Sequence, residues 1–379
     1  MIPITRPCIG EEEAQAAARA VLSGWLSQGE RVQEFESLVA GYVGAKHAIA
    51  TSNCTTALHL ALLAVGVKAG DEVITVSHSY IATANAIVYC GSTPVFVDVD
   101  PRTFNIDPAK VAAAITSRTR AVLCVHQIGM PCDLKSLLEI TAPRGIPVVE
   151  DAACAIGSEI NWQGKWERIG KPHADVACFS FHPRKVMSTG DGGMITTSNP
   201  EWAARFRLLR QHGMSVPDTV RHAANQVIFE THPTVGYNYR MTDIQAAVGR
   251  EQLKRMPEII GTRRAIAAKY VNLLRHVPGL VLPIEPAYAR SNWQSFCVRL
   301  PEGADQRGVM QKMLDEGIST RRGIMCSHRE APYSYNTVPL PHSEAAQDRC
   351  IVLPLYPQMT DADLALVAAT LEQACLATR

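Results

Sequence analysis

Six short apolar runs, HAIA (47–50), EVITV (72–76), PVFVDV (94–99), AVLCVH (121–126), VVED (148–151) and VACFSF (176–181), punctuate the first two thirds of the chain, with helical segments between them. Runs this short, apolar at successive positions rather than alternate ones, suit strands covered on both faces. Strand and helix in alternation predict a mainly parallel sheet with helices packed on both sides, an α/β architecture. The acidic residues 11–13 open a helix that ends near Gly24, and Asp133 caps the helix LKSLLEI before Pro143 stops it. Residues 214–233 read as a surface loop.

The pattern changes near residue 255, where the helix after GYNYRM runs on through EQLKRM into IIGTRRAIAAKYVNLLRHV. We therefore expect a large domain over 1–255 and a smaller α+β domain over 256–379, with WQSFCVRL as a strand and a final helix from Asp361. At 379 residues and 47% hydrophobic content the chain can bury a sizeable core.

Thirty-seven basic and 36 acidic residues leave a net charge of +1 and no long basic run, so there is no electrostatic footprint for nucleic acid or an anionic membrane. The eleven cysteines show no CxxC spacing, and several lie inside apolar strands; they read as reduced thiols rather than disulfides or zinc ligands. No basic head followed by an apolar run opens the chain, and no 18-residue apolar stretch occurs, which points to a cytoplasmic protein.

In open α/β sheets ligands bind beyond the carboxyl ends of the strands, and the residues there carry chemistry. In CFSFHPRKVMSTGDGGM (178–194), Lys185 lies between an apolar strand ending near Ser180 and a glycine turn. A lysine so placed is a Schiff-base candidate if burial or a nearby cation lowers its pKa, and otherwise a surface lysine before a hairpin. VVED ends on Asp151, which either caps a helix or, facing a pyridine nitrogen, keeps that nitrogen protonated. TSNCTT (51–56) leads into the apolar helix ALHLALLAV, so Thr55 is either an ordinary cap or a phosphate contact at a helix N-terminus. Tyr80, at the exit of EVITV, is a core tyrosine or a ring that stacks on a cofactor face. Asn238 and Arg240 in GYNYRMTDIQAAVG serve an anion or brace a loop.

These segments, in this order, resemble the DegT family of pyridoxal-phosphate-dependent nucleotide-sugar aminotransferases, which has the aspartate-aminotransferase-like fold (fold type I). The resemblance is nearly full length, from SGWLSQG and VQEFE through SNCTTALHLAL, SYIATANAI, PVFVDVD, VVEDAACAIGS, FSFHPRKVMSTGDGGM and GYNYRMTDIQAA to VLPLYPQMTDADL. It implies that Lys185 forms the Schiff base with pyridoxal 5′-phosphate and shuttles the proton. Asp151 would pair with the pyridine nitrogen and Tyr80 would stack on the ring. Thr55, Cys54 through its amide, and Ser180 would hold the phosphate, and Asn238 would reach the partner's phosphate in a homodimer with shared active sites.

Cys154 departs from the pattern, because the family often has glutamine or histidine there to meet the cofactor's 3-hydroxyl, and a thiol is a weak donor. The implied reaction moves an amino group from L-glutamate or L-glutamine to a nucleotide-linked keto sugar, in amino-sugar and polysaccharide biosynthesis. SFHP before the lysine resembles the members that aminate at C4, whereas GDGG resembles those acting at C3; the reading leans to C4. His182 and Arg321 are candidate substrate contacts, with a structural histidine and a surface arginine as the alternatives. A branch of the family that dehydrates its sugar has histidine in place of the lysine, so Lys185 argues against a dehydratase. A keto-cyclitol acceptor is a further variant.

Overall fold

The computed structural model describes residues 1–335 and 337–377. Its centre is a seven-stranded sheet built from β1 (His47–Thr51), β2 (Glu72–Val76), β3 (Thr93–Val97), β4 (Thr119–Val125), β5 (Val148–Asp151), β8 (Val176–Ser180) and β9 (Gly193–Thr197); a hairpin of β6 (Glu159–Trp162) and β7 (Lys165–Arg168) is inserted between β5 and β8. The order across the sheet is β1-β9-β8-β5-β4-β2-β3, and only β9 runs against the other six. All six apolar runs of the sequence are strands of this sheet. β2, β5, β8 and β9 are buried at every position, as continuous apolar runs require. The fold is α/β and mainly parallel.

Helix Cys54–Ala64 is apolar all round and lies under the sheet, with Leu58, Leu60, Ala61 and Leu62 essentially inaccessible. Such a helix is stable only inside a core, so it is locked in place with its N-terminus at the carboxyl edge of the strands. Within 214–233 the structure has the short helix Asp218–Ala223, flanked by exposed chain.

A second sheet of three strands pairs β10 (Ala289–Arg290) with the β6–β7 hairpin, and a third orders β11 (Phe296–Arg299), β13 (Cys350–Leu353) and β12 (Arg321–Arg322). Helix Asp361–Ala377 closes the C-terminal part. The long helix Asp243–Leu274 runs through residue 255 without a break. Its first half packs Leu253, Met256 and Ile260 into the core of the large sheet, and its second half gives Ile266, Tyr270 and Leu274 to the C-terminal core. We place the division of the chain inside this helix, between Ile260 and Ile266, because neither core spans both halves.

Candidate functional site

The carboxyl ends of β8, β5, β4 and β2 follow one another along one edge of the sheet, and β9 begins at the same edge, with Gly193 opposite Thr51 on one flank and Ser180 on the other. A Cβ on Gly193 would sit 2.5 Å from the Asn53 carbonyl carbon and 2.6 Å from Thr51 Oγ1. Only glycine lets β9 and the start of helix Cys54–Ala64 close to this separation. That helix is capped by Asn53, whose Oδ1 accepts from Thr56 N–H at 3.0 Å. The cap is thus Asn53, not Thr55. It leaves the amides of Cys54 and Thr55, at the first two helical positions, free of cap duty and at the positive end of the helix dipole. The Cys54 thiol turns inward and donates to the Cys178 carbonyl at 3.5 Å, so Cys54 offers the site only its main chain.

Asp151 ends β5 and is buried; no helix starts there, which removes the helix-cap alternative. Its Oδ2 accepts from the Thr83 hydroxyl at 2.7 Å and its Oδ1 from Ala153 N–H at 3.2 Å. Thr83 is tied in turn to Ser79 at 2.8 Å. Burial raises the Asp151 carboxyl above its ordinary value, and the Thr83 and Ala153 bonds and the Lys185 charge oppose that rise without cancelling it. A buried carboxylate held by a hydroxyl and an amide has room for one more donor, such as a protonated ring nitrogen.

Lys185 follows β8 on the loop beneath Ser180, its amide donating to the His182 carbonyl at 2.8 Å. Its Nζ donates to Cys154 Sγ at 3.0 Å. The expectation from sequence was a lysine whose pKa is lowered. Burial does push that way, but Cys154, Cys54 and Asp151 outweigh it, and the amine is held above its ordinary value. The Cys154 contact keeps Nζ inside the site, within electrostatic reach of the Asp151 carboxylate.

The Ser180 hydroxyl accepts from His182 N–H at 3.4 Å, and His182 Nδ1 accepts from Arg184 N–H at 3.2 Å. Burial, then Arg184, holds the His182 imidazole below its usual range. Tyr80 is 65% exposed, so it is not a core residue. Arg321 lies on β12 near Tyr80, Arg184 and Arg322; partial burial and then the like charges hold its guanidinium below the usual range. Asn238 is exposed, on a segment whose Tyr239 carbonyl accepts Ser52 N–H at 2.8 Å beside the helix cap. Arg240 lines a separate cleft of about 320 Å³ with Glu36, Lys46, Arg207 and Arg210, which shares no lining residue with the surroundings of Lys185.

Three contributors were not singled out from sequence. Thr83 stands one turn beyond Tyr80 in SYIAT, and that helical spacing to a polar residue was the available signal. Asn292 is fully buried and donates to the Cys154 and Ile156 carbonyls at 2.8 and 2.9 Å, so it fixes the turn that follows Asp151 from 138 residues away. His126 donates its amide to the Asp151 carbonyl at 3.0 Å, and its ring faces Glu150 at 2.8 Å. No sequence pattern announces either of these long-range contacts. Among the described residues no group of three or more His, Cys, Asp or Glu side chains is arranged to hold a metal, and no helix is long and apolar enough to cross a membrane.

An amine, a buried carboxylate and a helix N-terminus gathered at the edge of a parallel sheet form the donor set that fits pyridoxal phosphate, and with this fold they define a pyridoxal-phosphate-dependent transferase. Residues 7–372 match the DegT/DnrJ/EryC1/StrS aminotransferase family. The chain is 41% identical over 377 residues to GDP-perosamine synthase of Caulobacter vibrioides, covering 98% of each. It is 38% identical over 371 residues to the spore coat polysaccharide biosynthesis protein SpsC of Bacillus subtilis, covering 96% of this chain and 94% of that one. Among solved structures, the PMP form of the putative sugar aminotransferase Spr1654 from Streptococcus pneumoniae superposes with a TM-score of 0.93 at 25% identity, with full coverage of both chains. The chain belongs to the DegT/DnrJ/EryC1/StrS aminotransferase family, and it is a pyridoxal-phosphate-dependent sugar aminotransferase.

Proposed function

We propose that this enzyme transfers an amino group from L-glutamate or L-glutamine to C4 of a nucleotide-linked keto sugar, with Lys185 as the residue that joins the cofactor and moves the proton. The observation that carries the reading is the contact of Lys185 Nζ with Cys154 Sγ at 3.0 Å, on the turn that follows the buried Asp151 carboxylate at the carboxyl edge of the sheet. The similarity to GDP-perosamine synthase supports a nucleotide sugar as the acceptor, and SFHP before Lys185 supports C4. A dehydratase would lack the lysine.

Pyridoxal phosphate, when bound, supplies a carbonyl that condenses with amines and a ring that takes up the electron pair of the donor's α carbon. Asp151 would face the ring nitrogen and hold a proton on it, and the Thr83 hydroxyl orients that carboxylate and favours its ionised form. The amides of Cys54 and Thr55 and the Ser180 hydroxyl would bind the phosphate, and Tyr80 would cover the ring. Lys185 Nζ would take the proton from the donor's α carbon and, in the second half reaction, give one to the amine-bearing carbon of the sugar. Arg321, with Arg184 near it, offers positive charge to the sugar's diphosphate, and His182 borders the same space.

We also propose a homodimer in the cytoplasm, in which Asn238 reaches the partner's phosphate. Support comes from the exposed segment around it, where Val227, Phe229 and Val235 are each more than 80% exposed and suit burial by a second copy. Incubation with L-glutamate and a nucleotide-linked 4-keto sugar, followed by NMR of the product, tests the reaction. An amine at C4 supports it, whereas an amine at C3 or a deoxygenated sugar refutes it. Co-expression of Lys185→Ala with Asn238→Ala tests the shared site, because mixed dimers regain one complete site only if Asn238 acts across the interface.

A further inference from the structure

We propose that Cys154 and Lys185 form an oxidant-sensitive pair: a peroxide converts the Cys154 thiol to a sulfenic acid, and the Lys185 amine then closes a reversible S–N bond on that sulfur. Nζ and Sγ are already 3.0 Å apart. Both main chains are fixed around this contact. Asn292 pins the Cys154 carbonyl at 2.8 Å, Ala153 N–H is tied to Asp151, and on the other side Gln294 holds the Arg184 carbonyl at 2.6 Å. The two side chains therefore meet without backbone movement.

Selectivity follows from exposure. Of the eleven cysteines only Cys8 and Cys154 are not buried. Cys8 faces a guanidinium, Arg255 Nη2 at 3.0 Å, which is no nucleophile near neutral pH. Cys154 alone combines solvent access with an amine, and thiols of that kind lead the oxidation ladder. Cys154 is also first among the groups that hold the proton on Lys185, so oxidation of the sulfur weakens that hold and favours the free amine.

The chemistry balances. Peroxide takes two electrons from sulfur, giving sulfenic acid and one water. The lysine, having lost its ammonium proton to solvent, attacks sulfur through its lone pair; the S–O bond breaks, and hydroxide leaves with a nitrogen proton as a second water. The linked protein is lighter than the reduced one by two hydrogen atoms, and a dithiol restores both side chains. Lysine already joined to the cofactor has no amine to offer, so the cofactor shields the pair. That shielding rests on the role proposed for Lys185; the link does not.

The test treats the apoprotein and the pyridoxal-phosphate-loaded enzyme with the same hydrogen peroxide, blocks free thiols, digests without reductant and identifies peptides by mass spectrometry. The expected result is a Cys154–Lys185 linked peptide in the apoprotein, abolished by dithiothreitol, with uptake of pyridoxal phosphate lost on oxidation and regained on reduction. In Lys185→Arg, which keeps the cation without the amine, Cys154 should stop at the sulfenic acid and be trapped by dimedone. Recovery of apoprotein Cys154 only as free thiol, as a disulfide with Cys54 or as sulfinic acid, with no linked peptide, overturns the proposal. Equal linking in apoprotein and loaded enzyme leaves the bond standing and overturns the cofactor role of Lys185.

Discussion

Replacing Thr83 with valine removes one hydroxyl and almost no volume, at a side chain that is 1% exposed. The hydroxyl donates to Asp151 Oδ2 at 2.7 Å and meets Ser79 at 2.8 Å. A hydrogen bond to a charged group contributes about 1.5–3 kcal/mol, and at 1.4 kcal/mol per factor of ten the first half reaction should slow by roughly 10- to 150-fold. The sign with pH follows from the carboxyl. Burial already raises Asp151, Thr83 opposes that rise, and without Thr83 the carboxyl moves further up. Because only ionised Asp151 keeps the ring nitrogen protonated, the acid limb of the rate profile should shift to higher pH. The assay is stopped-flow absorbance of the loaded enzyme with L-glutamate across pH, in Thr83→Val, Asp151→Asn and the double variant. The double variant should be no slower than Asp151→Asn alone, since Thr83 acts through Asp151. A loss smaller than twofold in Thr83→Val, or full additivity in the double variant, refutes the reasoning.

Gly193→Ala should lower thermal stability by about 1–3 kcal/mol and speed cofactor loss on dialysis, because its Cβ would strike the Asn53 carbonyl. Asn292→Ala leaves two buried carbonyls without their donor and should cost about 2–4 kcal/mol in urea unfolding, with the turn at Cys154 loosened. Burial alone would raise the Asp98 carboxyl, but Ser343 (twice), His342 and Val99 donate to it and hold it below its ordinary value. A carboxyl lowered in the folded state stabilises above its unfolded pKa, about 3.9, and loses that contribution as pH falls through the folded value. The stability gap between wild type and Asp98→Asn should therefore narrow in acid, and chemical denaturation at pH 7 and pH 3 measures it.

The sheet was legible because buried parallel strands must be apolar at successive positions, and each of the six runs from HAIA to VACFSF obeys that rule. The reversed direction of β9 was not, since GMITT has the same composition either way and its antiparallel pairing with β8 is made across the twelve-residue connection 181–192. At the site, Asp151 and Lys185 stood out because they interrupt or follow apolar strands. The cap at Asn53 was not singled out, because four hydroxyl residues, Thr51, Ser52, Thr55 and Thr56, stand around it in the sequence and any of them suits a helix start. Lys185 was expected to be depressed, and nothing in FHPRKVM reveals that Cys154, 31 residues earlier, lies against it. Thr83, Asn292 and His126 act through contacts made by tertiary packing, which local spacing does not record.

The most direct test is the absorbance of wild type and Lys185→Ala loaded with pyridoxal phosphate, before and after L-glutamate or L-glutamine is added without sugar. Wild type should show the visible cofactor band and convert it to the pyridoxamine band, and Lys185→Ala should do neither at a comparable rate. Conversion by Lys185→Ala as fast as wild type, or a wild type that takes up no cofactor, would contradict the account at its centre.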